Sequence, residues 1–207
     1  MASLHIATTH FQDLQPLAAA GQTGIESWRA LHTLLLQNLS AAHAALLAEP
    51  VANAARGEVD WYAEGDGPAV PLQDLPEPAR AAVTTRLDQL VGDIEALAAK
   101  LGDGRTLRSS APSEDADRLL SDMLRLALHL PGPDNIYGCG KQPVLVAWGH
   151  VRSGGRGGAV ALTGPAMPPQ AAHTAILPPP PSPYAQGLRM KSCAGPAWNF
   201  SAIQPGA

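Results

Sequence analysis

Residues 138–141 read Gly-Cys-Gly-Lys, a pattern whose backbone amides and ammonium group could cradle a phosphate. A phosphate loop needs a glycine five residues before Gly140 and a Ser or Thr after Lys141. Asn135 and Gln142 stand there instead, so the glycines read as those of a hairpin turn. Glu58, Asp60, Glu64 and Asp66 could supply oxygen ligands to calcium or an acid–base carboxylate pair. Their spacing is not that of an EF-hand, and the last two fall in the glycine-containing turn EGDG, where acids serve solvation. The seven histidines, His5, His10, His32, His43, His129, His150 and His173, are scattered singly, without an HExxH or a zinc spacing. His129, near the end of the third predicted helix, reads as a favourable C-terminal charge or a cap. Cys139 with His150 is the one conceivable thiol dyad, and a small residue in a turn is the plainer reading of the cysteine. No GxSxG elbow occurs. The chain is therefore expected to be no enzyme and to hold neither metal nor cofactor.

Charge narrows the partners. The net charge is −4, yet no acid follows Asp134, while Lys141, Arg152, Arg156, Arg189 and Lys191 do. Those five cations leave −9 for the residues up to Asp134. An acidic body without a clustered basic face argues against nucleic acid. Cys139 and Cys193 make no disulfide framework, which suits a reducing compartment, and the expected location is cytoplasmic. The start MASLHIATTHFQDLQ lacks the charged flank and apolar run of a secretory signal, and no stretch approaches the ~18 apolar residues of a membrane span. The run Pro178, Pro179, Pro180, Pro181 and Pro183, followed by Tyr184, could be a polyproline ligand for an aromatic groove. A stiff spacer is the simpler reading.

The elements that would position these residues begin at Thr23, which with Glu26 has capping-box spacing. Ile25, Trp28, Leu31, Leu35, Leu39, Ala42 and Leu46 recur every three or four residues, predicting one amphipathic helix of about six turns that stops at Pro50. Val59, Trp61 and Ala63 alternate with polar neighbours, as in a strand. After Pro76 and Pro78, the residues Val83, Leu87, Leu90, Ile94, Leu97 and Leu101 form a helical stripe of nearly three heptads, expected to pair with the first helix. Oligomerisation stays open, because the same stripe would serve a second subunit. Ser113 opens a third helix, whose apolar face includes Leu119, Leu120, Met123, Leu124, Ala127 and Leu130, closed by Pro131. Residues 135–149 read as a hairpin, with Val144, Val146 and Trp148 on one face and the strand near Val59 as a possible third member.

These readings predict an α+β, mainly helical fold: about three amphipathic helices packed with a small antiparallel hairpin or three-stranded sheet. A weakly structured segment (1–22) precedes the domain (23–150). A Gly/Pro-rich, basic tail (151–207) follows it and is expected to be largely disordered.

The residues DWYA (60–63), an acidic turn, VPL (70–72), a long helix and NIYGCGKQPVLVAWGH (135–150) form an ordered set. In that order they resemble the cytoplasmic region of the SrfA family of bacterial virulence-associated proteins, which are encoded beside two larger partners, SrfB and SrfC. The resemblance covers roughly Val59 to His150. Tyr137, Pro143 to Leu145, and Trp148 with Gly149 fit its strand-turn-strand pattern, which in longer members leads through a proline-rich linker to a membrane segment. This chain shows no such segment, so anchoring does not carry over and a short or truncated member is implied. The resemblance implies a non-enzymatic adaptor or accessory subunit of a virulence- or envelope-associated assembly, with SrfB-like and SrfC-like partners. Trp61, Tyr62, Tyr137 and Trp148 would organise its core or anchor a partner, the two tryptophans mainly as core. The competing expectations are a cryptic enzymatic or toxin activity, and a fragment without independent function.

Overall fold

In a computed structural model, residues 3–65, 67–103, 114–154 and 160–162 are described. The prolines 178–181 and 183, Asp66, Ser113, His173 and Cys193 lie outside them, as does most of the tail. Among the described residues there are four α-helices and twelve short strands in five small sheets. The expectation of a mainly helical fold is therefore overturned: the architecture is mixed α+β.

Strand β6 (Glu58–Glu64) is the centre of the first sheet, between β1 (Ser3–His10) and β5 (Glu49–Asn53), both antiparallel to it. Its period of two is the predicted one, with Val59, Trp61 and Ala63 buried. The segment 1–22, expected to be loop, supplies β1, whose pairing runs from Ser3↔Glu64 to His10↔Glu58 with an irregularity between His5 and Ala7. It also forms β2 (Leu14–Pro16), β3 (Ala18–Ala19) and, reaching Thr23, β4 (Gln22–Thr23). Between β3 and β4, Ala20 and Gly21 take φ of 48° and 81°, the left-handed pair that a tight hairpin turn demands. Alanine at such a position gives no turn signal.

The capping box forms as predicted. The Thr23 backbone N–H donates to Glu26 Oε2 at 3.0 Å and its hydroxyl at 2.8 Å, at the start of α1 (Gly24–Asn38). Thr23→Ala should lower the unfolding free energy by about 1 kcal/mol, readable as a shifted urea midpoint at constant slope.

The six-turn helix does not form. Helix α1 ends at Asn38, Leu39 leaves helical geometry, Ser40 starts the single turn α2 (Ala41–Ala44), and the chain then enters β5. Pro50 pairs with Trp61 in an edge strand, where a missing N–H breaks no ladder. The apolar period from Ile25 to Leu46 thus continues through a kink, because both helices bury their apolar side in one core.

The second sheet has the order β10 (Gln142–Leu145), β9 (Ile136–Cys139), β7 (Ala69–Pro71). The predicted hairpin is present, turning at Gly140 with φ 63°. Its third strand is β7 and not the strand at Val59, because β6 already has a neighbour on each side.

Helix α3 (Glu77–Gly102) buries the whole stripe Val83, Leu87, Leu90, Ile94, Leu97 and Leu101. Its principal helical neighbour is α4 (Glu114–Ala127), not α1. There the Ser121 hydroxyl donates to the Ala98 carbonyl at 2.7 Å. Helix α4 buries Met123, Leu124 and Ala127 while Leu119 and Leu120 are half-buried, and Leu130 sits in strand β8 (His129–Leu130).

Beyond residue 150, the expected edge of the domain, the chain still pairs with the body. Strand β11 (His150–Arg152) joins β2, and β12 (Val160–Ala161) joins β8.

Candidate functional site

Four residues singled out by sequence separate into two environments. Trp61 and Trp148 are both 0 % exposed and meet edge-to-face with centroids 6.1 Å apart. The Trp61 indole N–H donates to Thr9 Oγ1 at 2.8 Å, and that of Trp148 to the Ala48 carbonyl at 2.9 Å. Tyr62, on the opposite face of β6, is half-buried with the His5 ring against its own at 5.3 Å. Tyr137 is half-buried on β9; burial, then the carboxylates of Asp134 and Asp74, push its hydroxyl above the ordinary tyrosine range.

His150 completes the buried cluster, perpendicular to Trp61 at 6.1 Å and donating from Nδ1 to the Trp148 carbonyl at 2.8 Å. Desolvation holds its pKa below the usual histidine range. A folded value below the unfolded one means the fold favours neutral imidazole. That stability is complete above the unfolded value, about 6.5, and is lost as pH falls from there through the folded value. His150→Gln should flatten this acid-side decline in the thermal midpoint between about pH 7 and 5; an unchanged slope would mean another group is responsible.

The candidate dyad is not assembled as a reacting pair. Cys139 is a buried free thiol whose pKa burial raises, and its β-carbon lies beside the Gly65 backbone, while His150 is engaged with Trp61 and Trp148. Beside the Gly140 turn there is an open depression of about 640 Å³ lined by Arg86, Lys141, Gln142 and Glu64 as well as Cys139. The acidic residues are split among separate networks: Glu58 pairs with Arg56 and His10, while Asp60 accepts the Thr8 hydroxyl at 2.6 Å with His5 alongside. That hydroxyl chiefly keeps the Asp60 carboxyl below the usual range. Among the described residues no group of three or more His, Cys, Asp or Glu could hold a metal. His129 does cap α4, through Nδ1 and the Arg125 carbonyl at 3.0 Å.

Two arrangements were not legible in sequence. The first is a hydroxyl–imidazole–carboxylate chain. Ser40 Oγ is 2.8 Å from His43 Nδ1, and His43 Nε2 is 3.1 Å from Asp93 Oδ2. With the Nε2 proton given to Asp93, Nδ1 is free to accept the serine proton, which is the connectivity of an activated nucleophile. Asp93 comes from α3, 50 residues away, so no local pattern announces it. Ser40 is also the N-cap residue of α2 by position, but its hydroxyl bonds the His43 ring and makes no capping bond to the helix.

The second is a groove of about 250 Å³ between α1 and β6. Trp28, His32 and Leu36 lie four residues apart, one stripe of α1, and face Tyr62 across the groove; Glu49 and Glu64 are its acidic lining. The Trp28 and His32 rings lie 5.1 Å apart, tilted by 38°. Leu36 is 49 % exposed, a large apolar side chain left in water. The Trp28 indole nitrogen is buried without a hydrogen-bond partner among the described residues. The sequence pattern placed Trp28 on the same inward face as Leu31 and Leu35, whereas those two are fully buried and Trp28 borders the groove.

Fold and site together define a small α+β protein with a tryptophan-pair core and an aromatic groove at its surface. The chain matches no family model, no curated protein and no solved structure. Among the described residues no helix is long and apolar enough to cross a membrane.

Proposed function

We propose that this chain is a non-enzymatic adaptor that holds a protein partner in the groove between α1 and β6. The observation that carries this reading is the stripe of Trp28, His32 and Leu36 opposite Tyr62, an amphipathic aromatic surface with an exposed leucine at its rim. The likeness of residues 59–150 to the SrfA family supplies the setting: a cytoplasmic accessory subunit of a bacterial virulence- or envelope-associated assembly, with SrfB-like and SrfC-like proteins as first candidates. The acidic balance up to Asp134 favours protein over nucleic acid as the partner. Leu36→Glu alters an exposed side chain and should leave the thermal midpoint within about 1 kcal/mol-equivalent of wild type. It should weaken partner binding about tenfold or more by titration calorimetry, since burying an unpaired carboxylate in the interface costs at least about 1.4 kcal/mol. Undiminished binding would remove the groove from the interface.

The Ser40–His43–Asp93 chain favours a second reading, a hydrolase with Ser40 as nucleophile. A fluorophosphonate probe decides between them: labelling of wild type that is lost in Ser40→Ala supports the hydrolase, and absence of labelling leaves the Ser40 hydroxyl as a structural partner of His43.

A further inference from the structure

We infer that the free edge of β1 takes an extended segment of a protein partner as a fourth strand of the first sheet, with Phe11 as the side-chain anchor beside it. None of the residues it uses, Thr8 to Phe11, lines the groove, so the inference does not rest on the adaptor reading.

The backbone groups of this edge follow from one hydrogen bond. The Phe11 N–H donates to the Gly57 carbonyl at 2.9 Å, continuing the register His10↔Glu58, and antiparallel pairs alternate between bonded and non-bonded. Ala7, Thr9 and Phe11 therefore turn their backbone groups to β6, while Thr8 and His10 turn theirs away. The His10 carbonyl accepts the Asp13 N–H at 3.1 Å. The Thr8 N–H, the Thr8 carbonyl and the His10 N–H have no partner among the described residues. Another extended backbone fills all three: one of its residues exchanges both bonds with Thr8, and a carbonyl two residues away accepts from His10.

The remaining edges of the two three-stranded sheets are blunted. Strands β5, β7 and β10 each carry a proline, Pro50, Pro71 and Pro143, the residue that proteins place on edges to refuse a further strand. Strand β1 is eight residues long and has neither proline nor Asp, Glu, Lys or Arg. Its irregularity between His5 and Ala7 argues against a second copy as the occupant, because an antiparallel self-pair centred on the strand would set two such defects opposite each other. A partner strand need match only Thr8 to His10, and it can rest a side chain on Phe11, which is 43 % exposed.

A library of random peptides, about twelve residues long so as to exceed a typical strand, panned against the full chain supplies the probe. Enriched peptides should slow hydrogen exchange at the Thr8 and His10 amides, which belong to exposed residues in the free chain. Thr8→Ala and Thr8→Pro both lose the hydroxyl bond to Asp60, and only the proline also removes the outward N–H, without touching the ladder to β6. Thr8→Ala should bind the enriched peptide as wild type does, and Thr8→Pro about tenfold more weakly, the worth of one hydrogen bond. Should Thr8→Pro fail to fold, Phe11→Ser carries the test, with binding again about tenfold weaker. Leu36→Glu, in the groove, should leave peptide binding unchanged. The inference is overturned by a library that yields no binder, by unchanged exchange at Thr8 and His10, by equal binding of Thr8→Ala and a folded Thr8→Pro, or by loss of binding in Leu36→Glu. Protection of the same two amides without peptide, together with a concentration-dependent dimer in sedimentation, makes the occupant a second copy and overturns it as well.

Discussion

Trp148→Ala is expected to lower the unfolding free energy by about 3 to 5 kcal/mol, and Trp61→Ala by a similar amount. Both indoles are fully buried and meet edge-to-face, so deleting either leaves a cavity that the other, locked by its own hydrogen bond, cannot fill. Trp148 also joins distant parts of the chain through its N–H on the Ala48 carbonyl, 100 residues away. Trp148→Phe separates these contributions. It retains most of the apolar contact and leaves the Ala48 carbonyl without the indole, a loss of about 1 to 3 kcal/mol. A domain of this size has about 5 to 15 kcal/mol in total, so Trp148→Ala should remove at least about a fifth of the stability and lower the urea midpoint in proportion. Two alanine variants with wild-type midpoints would mean that the tryptophan pair does not organise the core.

The second large effect is a pair of identical substitutions with opposite signs. Gly24 opens α1 against Trp148, and a β-carbon there would lie 2.7 Å from the ring carbon Cζ3. The ring is buried on all sides and has no room to yield, so Gly24→Ala should cost about 1 to 3 kcal/mol through overpacking. That exceeds the gain of about 1 kcal/mol that alanine brings to a helix interior, a gain already smaller at a helix start. Gly92 sits in the exposed middle of α3 with no atom within 4 Å of its would-be β-carbon. There the propensity term acts alone, and Gly92→Ala should raise stability by about 0.5 to 1 kcal/mol. Thermal unfolding of the two variants side by side checks the sign of each. A stabilised Gly24→Ala would show that α1 can move away from Trp148.

Gly24 and Gly92 also mark how much of this protein is legible before folding. The stripe from Val83 to Leu101, the alternation of Val59, Trp61 and Ala63, the Thr23–Glu26 capping box and the Gly140 hairpin are all local patterns, and the structure contains each of them. They are legible because a helix or strand imposes its own period on whatever it buries. Of the strands in residues 3–23, 150–152 and 160–161, only β1 left a trace, a weak alternation that dissolves into small residues and reads as loop. All but β1 are two or three residues long, too short to show a period, and most are held by partners distant in sequence, as Pro16 is by His150 and Ala161 by His129.

The groove and the Ser40–His43–Asp93 chain follow the same division. Sequence alone determined that α1 carries apolar residues at helical spacing, and that histidines and acids are too dispersed for a local metal or nucleophile motif. Only tertiary structure decided which of those apolar residues became core. Leu31 and Leu35 are covered completely, while Trp28, His32 and Leu36, on an adjacent stripe of the same helix, border open space facing Tyr62. It likewise brought Asp93 to His43 and paired α3 with α4 instead of α1. The physical reason is that periodicity records which side of an element avoids water, whereas which neighbour covers that side, and where the covering stops, depends on contacts between residues far apart in the chain.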